Sequence, residues 1–120
     1  MKLVIKKVSE VPSEEVTMYN SKGVKIQWLI SVDDGAENFA MRKFTMDVGG
    51  VIGEHNHWYE HEIYMLRGKC QITVDGEEYI VEKDQVMFIP PYVKHGYRNV
   101  GDEPVEFLCI IPLKKPEDKE

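Results

Sequence analysis

Apolar residues in this chain recur at every second position, in short runs closed by turn residues. Successive side chains of an extended strand point to opposite faces, so a period of two predicts half-buried strands rather than helices. Residues 24–30 alternate and turn apolar at their end, and 39–46 are strand-like before a glycine-bearing stretch, 47–53, that reads as a break. Residues 62–67 close at Gly68, 85–89 at Pro90-Pro91, and 105–111 at Pro112. Residues 70–74 and 78–81 flank Asp75-Gly76-Glu77, and an Asp-Gly pair tolerates the positive φ of a tight hairpin. No stretch of ten or more residues carries a helical period. Short strands at roughly 8–12-residue spacing predict an all-β sandwich or barrel.

The remaining composition narrows the setting. A length of 120 residues suits one domain, 1–120, with the barrel core over about 24–112 and 113–120 as a frayed tail. Fifteen Lys and Arg against 21 Asp and Glu leave a net charge of −6, which disfavours a phosphate-tracking surface, so no nucleic-acid partner is expected. No apolar run approaches the ~20 residues of a membrane span, and Leu3-Val4-Ile5 is too short for a secretory core. Two cysteines, Cys70 and Cys109, are too few for a disulfide framework, so a cytoplasmic setting is expected. Leu3-Val4-Ile5 reads instead as an edge strand, within the protomer or across a dimer. With the open sheet edges of a small barrel, it makes a homodimer the expectation.

All four histidines fall in two short stretches. In His55-Asn56-His57 the imidazoles are spaced i, i+2, so on an extended chain both reach one point. His61 follows after Trp58-Tyr59-Glu60, a short excursion that returns the next strand beside the pair, and His95 stands where a strand begins after Pro90-Pro91-Tyr92-Val93-Lys94. Imidazole is the commonest side-chain metal ligand. A lone histidine pair of this kind is as readily an exposed strand pair as a ligand pair; the two stretches together carry more.

These stretches resemble the two motifs of the cupin superfamily. The first, G-x5-HxH-x3,4-E-x6-G, is filled by Gly49, His55, His57, His61 and Gly68; the second, G-x5-P-x-G-x2-H-x3-N, by Asp84, Pro90, Tyr92, His95 and Asn99. Seven of ten fixed positions match; His61 replaces the glutamate, and Asp84 and Tyr92 replace two glycines. Fifteen residues separate Gly68 from Asp84, as in compact single-domain cupins, and the likeness spans about 38–112. It implies a small antiparallel jelly-roll barrel (a double-stranded β-helix) holding a metal at His55, His57, His61 and His95. Residues 57–63 and 106–112 resemble more narrowly the small monocupins with all-histidine sites, some of which bind manganese. One divalent transition ion is therefore implied, manganese first, with iron, nickel, cobalt, copper and zinc open.

Glu62 is the alternative carboxylate ligand, but only five residues separate it from Gly68, and it alternates away from His61. Four neutral imidazoles would leave the ion's charge uncompensated and favour an anionic or enolate-forming substrate. Because imidazole must be neutral to ligate, metal occupancy is expected to fall as pH drops through roughly 6.

Strand parity predicts the pocket. With Glu106 outward, Phe107 and Cys109 face inward, and Tyr97 shares the side of His95 while Arg98 faces out. Trp58, Tyr59 and Tyr92 fall on loops near the ligands, with Trp58 expected in the pocket. Tyr97, Cys109 and Arg42 are the catalytic candidates, Arg42 as a carboxylate clamp. The resemblance and this lining point to a dioxygenase-type oxidoreductase of a small organic molecule. A redox-neutral isomerase or lyase of a sugar or keto acid, with Arg42 or Lys43 inward, is the alternative, and a non-catalytic binding module the third.

Overall fold

The computed structural model describes residues 2–115. Among these residues nine strands are present: β1 (Glu14–Glu15), β2 (Lys22–Ile30), β3 (Phe39–His55), β4 (His61–Arg67), β5 (Lys69–Val74), β6 (Glu77–Glu82), β7 (Val86–Ile89), β8 (His95–Asn99) and β9 (Val105–Pro112). The helical elements among the described residues are three short 3₁₀ turns, Val8–Glu10, Met18–Asn20 and Val32–Asp34. Among the described residues no helix is long and apolar enough to cross a membrane.

The strands form one curled antiparallel sheet in the order β6-β5-β8-β3-β9-β4-β7, with β2 also on β3 and β1 on β2. This is a cupin-type β-barrel, and β3 is the strand that closes it. Its first half pairs with β9 from Phe39↔Pro112 to Met46↔Val105, and its second half pairs with β8 from Val51↔Arg98 to His55↔His95. The stretch 47–53 therefore does not end the strand, as its glycines suggested. It bends the strand from one wall of the barrel to the other, and the partner β2 shows a register shift between Lys22 and Val24 at this point. Gly49 takes φ +79°, and a Cβ on Gly50 would stand 2.8 Å from the Gly23 carbonyl oxygen. Larger residues would prevent the bend.

The inner face follows the expected parity. Ala40, Arg42, Phe44 and Met46 of β3, His61, Ile63 and Met65 of β4, and Val105, Phe107, Cys109 and Ile111 of β9 are buried. Phe107 is the hub: its ring stacks on Phe44 at 5.1 Å and on Tyr97 at 5.6 Å. Burying one such side chain stabilises by about 1.5–3 kcal/mol. The β5–β6 hairpin turns on Asp75 (φ +48°) and Gly76 (φ +83°), as an Asp-Gly turn requires.

The two ends of the described chain lie as follows. Leu3-Val4-Ile5 forms no strand within the protomer, and Leu3 and Ile5 are 85% and 82% exposed. The middle of the outer edge of β2 is occupied by β1, through Glu14↔Ile26 and Glu15↔Lys25. Lys6 nonetheless fastens this arm, donating to the Leu29 carbonyl at 2.9 Å and pairing with Asp34 at 2.7 Å. At the other end Leu113 packs on the core and its N–H donates to the Asn38 carbonyl at 3.0 Å, so the expected tail does not fray from 113. Residues 116–120 of that expectation lie outside the described residues.

Candidate metal centre

Strand pairing alone brings the first two histidines together. His55 ends β3, His95 begins β8, and they are register partners with ring centroids 4.4 Å apart. His57 lies on the following loop, its ring 5.3 Å from that of His55 and 5.1 Å from that of His95. The loop is held from the second motif: the Tyr92 N–H donates to the His57 carbonyl at 2.8 Å. His61 begins β4, 5.1 Å from His95 between ring centroids, with its Nε2 3.0 Å from Nε2 of His57. His55, His57 and His95 each offer a ring nitrogen within 4.8 Å of the others.

Hydrogen bonding sets the tautomers. Nδ1 lies 2.7 Å from the Gly53 carbonyl in His55, 2.9 Å from the Tyr59 carbonyl in His57, and 2.9 Å from the Val93 carbonyl in His95. A carbonyl only accepts, so each Nδ1 carries the proton and each Nε2 presents a lone pair. The His95 Nε2 is fully buried and has no hydrogen-bond partner, a cost of about 1–3 kcal/mol unless something electrophilic meets it. Converging lone pairs, one of them orphaned, fit a divalent transition ion.

Burial keeps these groups neutral. Loss of solvation lowers His57 to about 4 and His61 to about 2, with Arg42 next in importance at His61. His55 and His95 are lowered by the same desolvation, opposed in part by their backbone hydrogen bonds. The environment of His61 is distinct: its Nδ1 lies 2.9 Å from Cys109 Sγ and 3.4 Å from Arg42 Nη2.

His55, His57 and His61 open into a cavity of about 300 Å³, whose lining also includes Trp28, Arg42, Phe44, Tyr59, Tyr97, Phe107 and Cys109, while His95 is buried behind them. Trp58, expected here, is not part of the lining. The loop alternates, so His57 and Tyr59 stack inward at 3.7 Å while Trp58 turns out against the Lys115 amine at 6.0 Å. The lining tryptophan is Trp28, and its signal was in the sequence: Val24, Ile26 and Trp28 share one parity of β2. Tyr19 was also missed. It stacks on His55 at 4.0 Å, and its carbonyl occupies the place a Cβ on Gly53 would take, but nothing local in a polar segment announces that contact. Tyr92 lies outside the cavity lining and is 67% exposed.

The charged candidates sort by strand face. Lys43 points out and pairs with Glu106 at 2.9 Å, so it cannot serve a polar pocket, whereas Arg42 faces in. Glu62 is exposed on the face of β4 opposite to His61. Cys109 touches the site, while Cys70 is a packing thiol that burial pushes up to about 12.

Comparison with known proteins agrees with the fold and its likeness. The chain is 34% identical over 109 residues to the polyketide synthase protein CurC of Streptomyces cyaneus, covering 89% of this chain and 71% of that protein. It is 31% identical over 111 residues to an oxalate-binding protein of Thermotoga maritima, covering 88% and 90% respectively. Its structure resembles that of the polyketide cyclase RemF from Streptomyces resistomycificus with a TM-score of 0.86 and 30% identity, over 97% of this chain and 82% of that one. The cupin domain profile matches residues 42–111, and this chain therefore belongs to the cupin family.

Proposed function

We propose that this protein is a metal-dependent oxidoreductase of dioxygenase type, acting on a small organic molecule at a centre held by His55, His57, His61 and His95. The observation that carries the reading is the convergence of His55, His57 and His95, each with Nδ1 tied to a backbone carbonyl, beside an aromatic cavity lined by His55, His57 and His61. A divalent transition ion held there supplies Lewis acidity and redox capacity. The chain's own residues supply the rest. Gly53, Tyr59 and Val93 orient the imidazoles through their carbonyls, and Phe44, Tyr97 and Phe107 exclude water from one wall of the cavity. The likeness to small monocupins puts manganese first, while an all-nitrogen donor set suits iron, nickel, copper, cobalt or zinc by softness.

The test is to strip the protein with chelator, reload it with each metal separately, and record oxygen uptake with a panel of phenolic and enolic substrates. Uptake that depends on the metal and is lost in His95→Ala supports the reading; turnover without oxygen rejects it. A redox-neutral ring closure is the second reading, favoured by the likeness to the polyketide cyclase RemF. It would appear in the same assay as product of unchanged oxygen content.

A further inference from the structure

Beside the neutral imidazoles, the cavity holds a buried cationic group that metal ligation leaves unused, Arg42, while the carboxylates that line the cavity, Glu14 and Glu15, are exposed on β1. Arg42 is only 6% exposed, with its guanidinium 5.0 Å from the Phe44 ring centroid and 5.5 Å from that of Trp28. Nη2 is occupied by Cys109 Sγ at 3.0 Å and lies 3.4 Å from His61 Nδ1, whereas Nε is buried with no partner. Among the described residues no carboxylate forms an ion pair with it; the ion pairs lie elsewhere, including the one that neutralises its neighbour Lys43. The two rings offset part of the charge, and the Tyr59 hydroxyl stands beside the guanidinium as a neutral acceptor, but none of these groups is an anion. A buried guanidinium without a counter-ion is costly, and the planar fork of arginine matches an anionic oxygen or a carboxylate. The walls beside it, Trp28, Phe44, Tyr59 and Phe107, are flat.

We propose that the cavity binds a planar, conjugated organic anion, its anionic oxygen supplying the missing partner of Arg42 and its flat body lying among Trp28, Phe44, Tyr59 and Phe107. This assigns a substrate class and rests on the cavity being the substrate site of the proposed enzyme. It sets aside sugars, whose hydroxyl-studded rings would leave polar groups unpaired against these walls.

The probe is 2-naphthoate, compared with its neutral isostere 2-naphthamide and the non-planar cyclohexanecarboxylate. Each is titrated calorimetrically into the full chain freed of metal by chelator, so that no ion can hold the carboxylate. Naphthoate is expected to bind at least tenfold more tightly than either comparison ligand. Arg42→Gln should remove the preference of naphthoate over naphthamide. Equal affinity of naphthoate and naphthamide for the unaltered chain overturns the proposal, with no variant needed. Persistence of the preference in folded Arg42→Gln also overturns it. Metal stoichiometry, measured separately by elemental analysis, keeps the two readings apart. A chain that prefers naphthoate but takes up no metal sinks the metal-enzyme reading alone, and the reverse result sinks only the anion assignment.

Discussion

Nδ1 of His61 lies 2.9 Å from Sγ of Cys109, although 48 positions separate the two residues in the chain. The pairing of β4 with β9, with Ile63 opposite Cys109, makes them diagonal neighbours on the inner face. Arg42 also donates toward that nitrogen from 3.4 Å. A guanidinium only donates, so this contact favours a proton on His61 Nε2, with His57 Nε2 as its acceptor at 3.0 Å. To offer Nε2 to an ion, His61 must carry its proton on Nδ1, and the neighbouring sulfur is then the acceptor.

Replacing that acceptor should loosen His61, the fourth ligand of the proposed centre. Cys109→Val is expected to weaken divalent-metal affinity by about 10–100-fold, the usual effect of losing a partner behind a ligand, while Cys109→Ser keeps an acceptor and loses less. Calorimetric titration with cobalt or copper checks the affinities. Equal affinities for the two variants and the unaltered chain would refute the coupling.

Acid should destabilise the metal-free protein in a defined window. His57 is lowered from 6.5 to about 4 and His61 to about 2, both chiefly by desolvation. Between 6.5 and 4 the unfolded chain therefore binds more protons than the folded one, so stability is complete above 6.5 and declines as pH falls toward 4. Thermal unfolding in chelator from pH 8 to 4 should show Tm falling below 6.5, and a flat profile contradicts the burial argument. The same shift moves metal release at His57 toward pH 4, lower than the reference value of free histidine suggests.

Tyr92 adopts φ +66° at a position where the cupin motif has glycine, and Asp84 does the same at φ +68°. The left-handed region costs a side-chain-bearing residue about 1–2 kcal/mol, partly offset by the greater chain entropy of glycine. Because Tyr92 is exposed, Tyr92→Gly should stabilise the fold by about 0.5–1 kcal/mol in urea unfolding. A loss of stability would mean that the Tyr92 ring makes a contact that matters.

Asn99 ties three segments together. Its Nδ2 donates toward the carbonyls of Met46 (3.2 Å), Asp47 (3.0 Å) and Glu103 (2.9 Å), and its Oδ1 accepts from the Gly101 N–H at 3.0 Å. The side chain thus pins the start of the β3 bend to the β8–β9 turn. Asn99→Ala leaves these buried groups unmatched and should cost about 2 kcal/mol by denaturant unfolding. A change below about 0.5 kcal/mol would show that water replaces the amide.

The strands, the Asp75-Gly76 hairpin and the inward faces of β4, β8 and β9 were legible from the order of residues, because alternation and turn chemistry are local. The likeness to the cupin motifs singled out His55, His57, His61 and His95 by the same local spacing. Three things were not local. The glycines at 49, 50 and 53 read as a stop, yet β3 continues through them, since a bent strand keeps its hydrogen bonds when β9 serves one half and β8 the other. Glu14 and Glu15 form a strand without an apolar alternation because the backbone edge of β2, rather than their side chains, recruits them. The cavity takes Trp28 instead of Trp58 because its lining depends on which face of a strand or loop the barrel encloses. Sequence alone determined that this chain is a barrel of short strands carrying a histidine cluster. Closure of the barrel decided what surrounds that cluster, bringing residues as distant as Tyr19, Arg42 and Cys109 to the same imidazoles through pairings that no local pattern encodes.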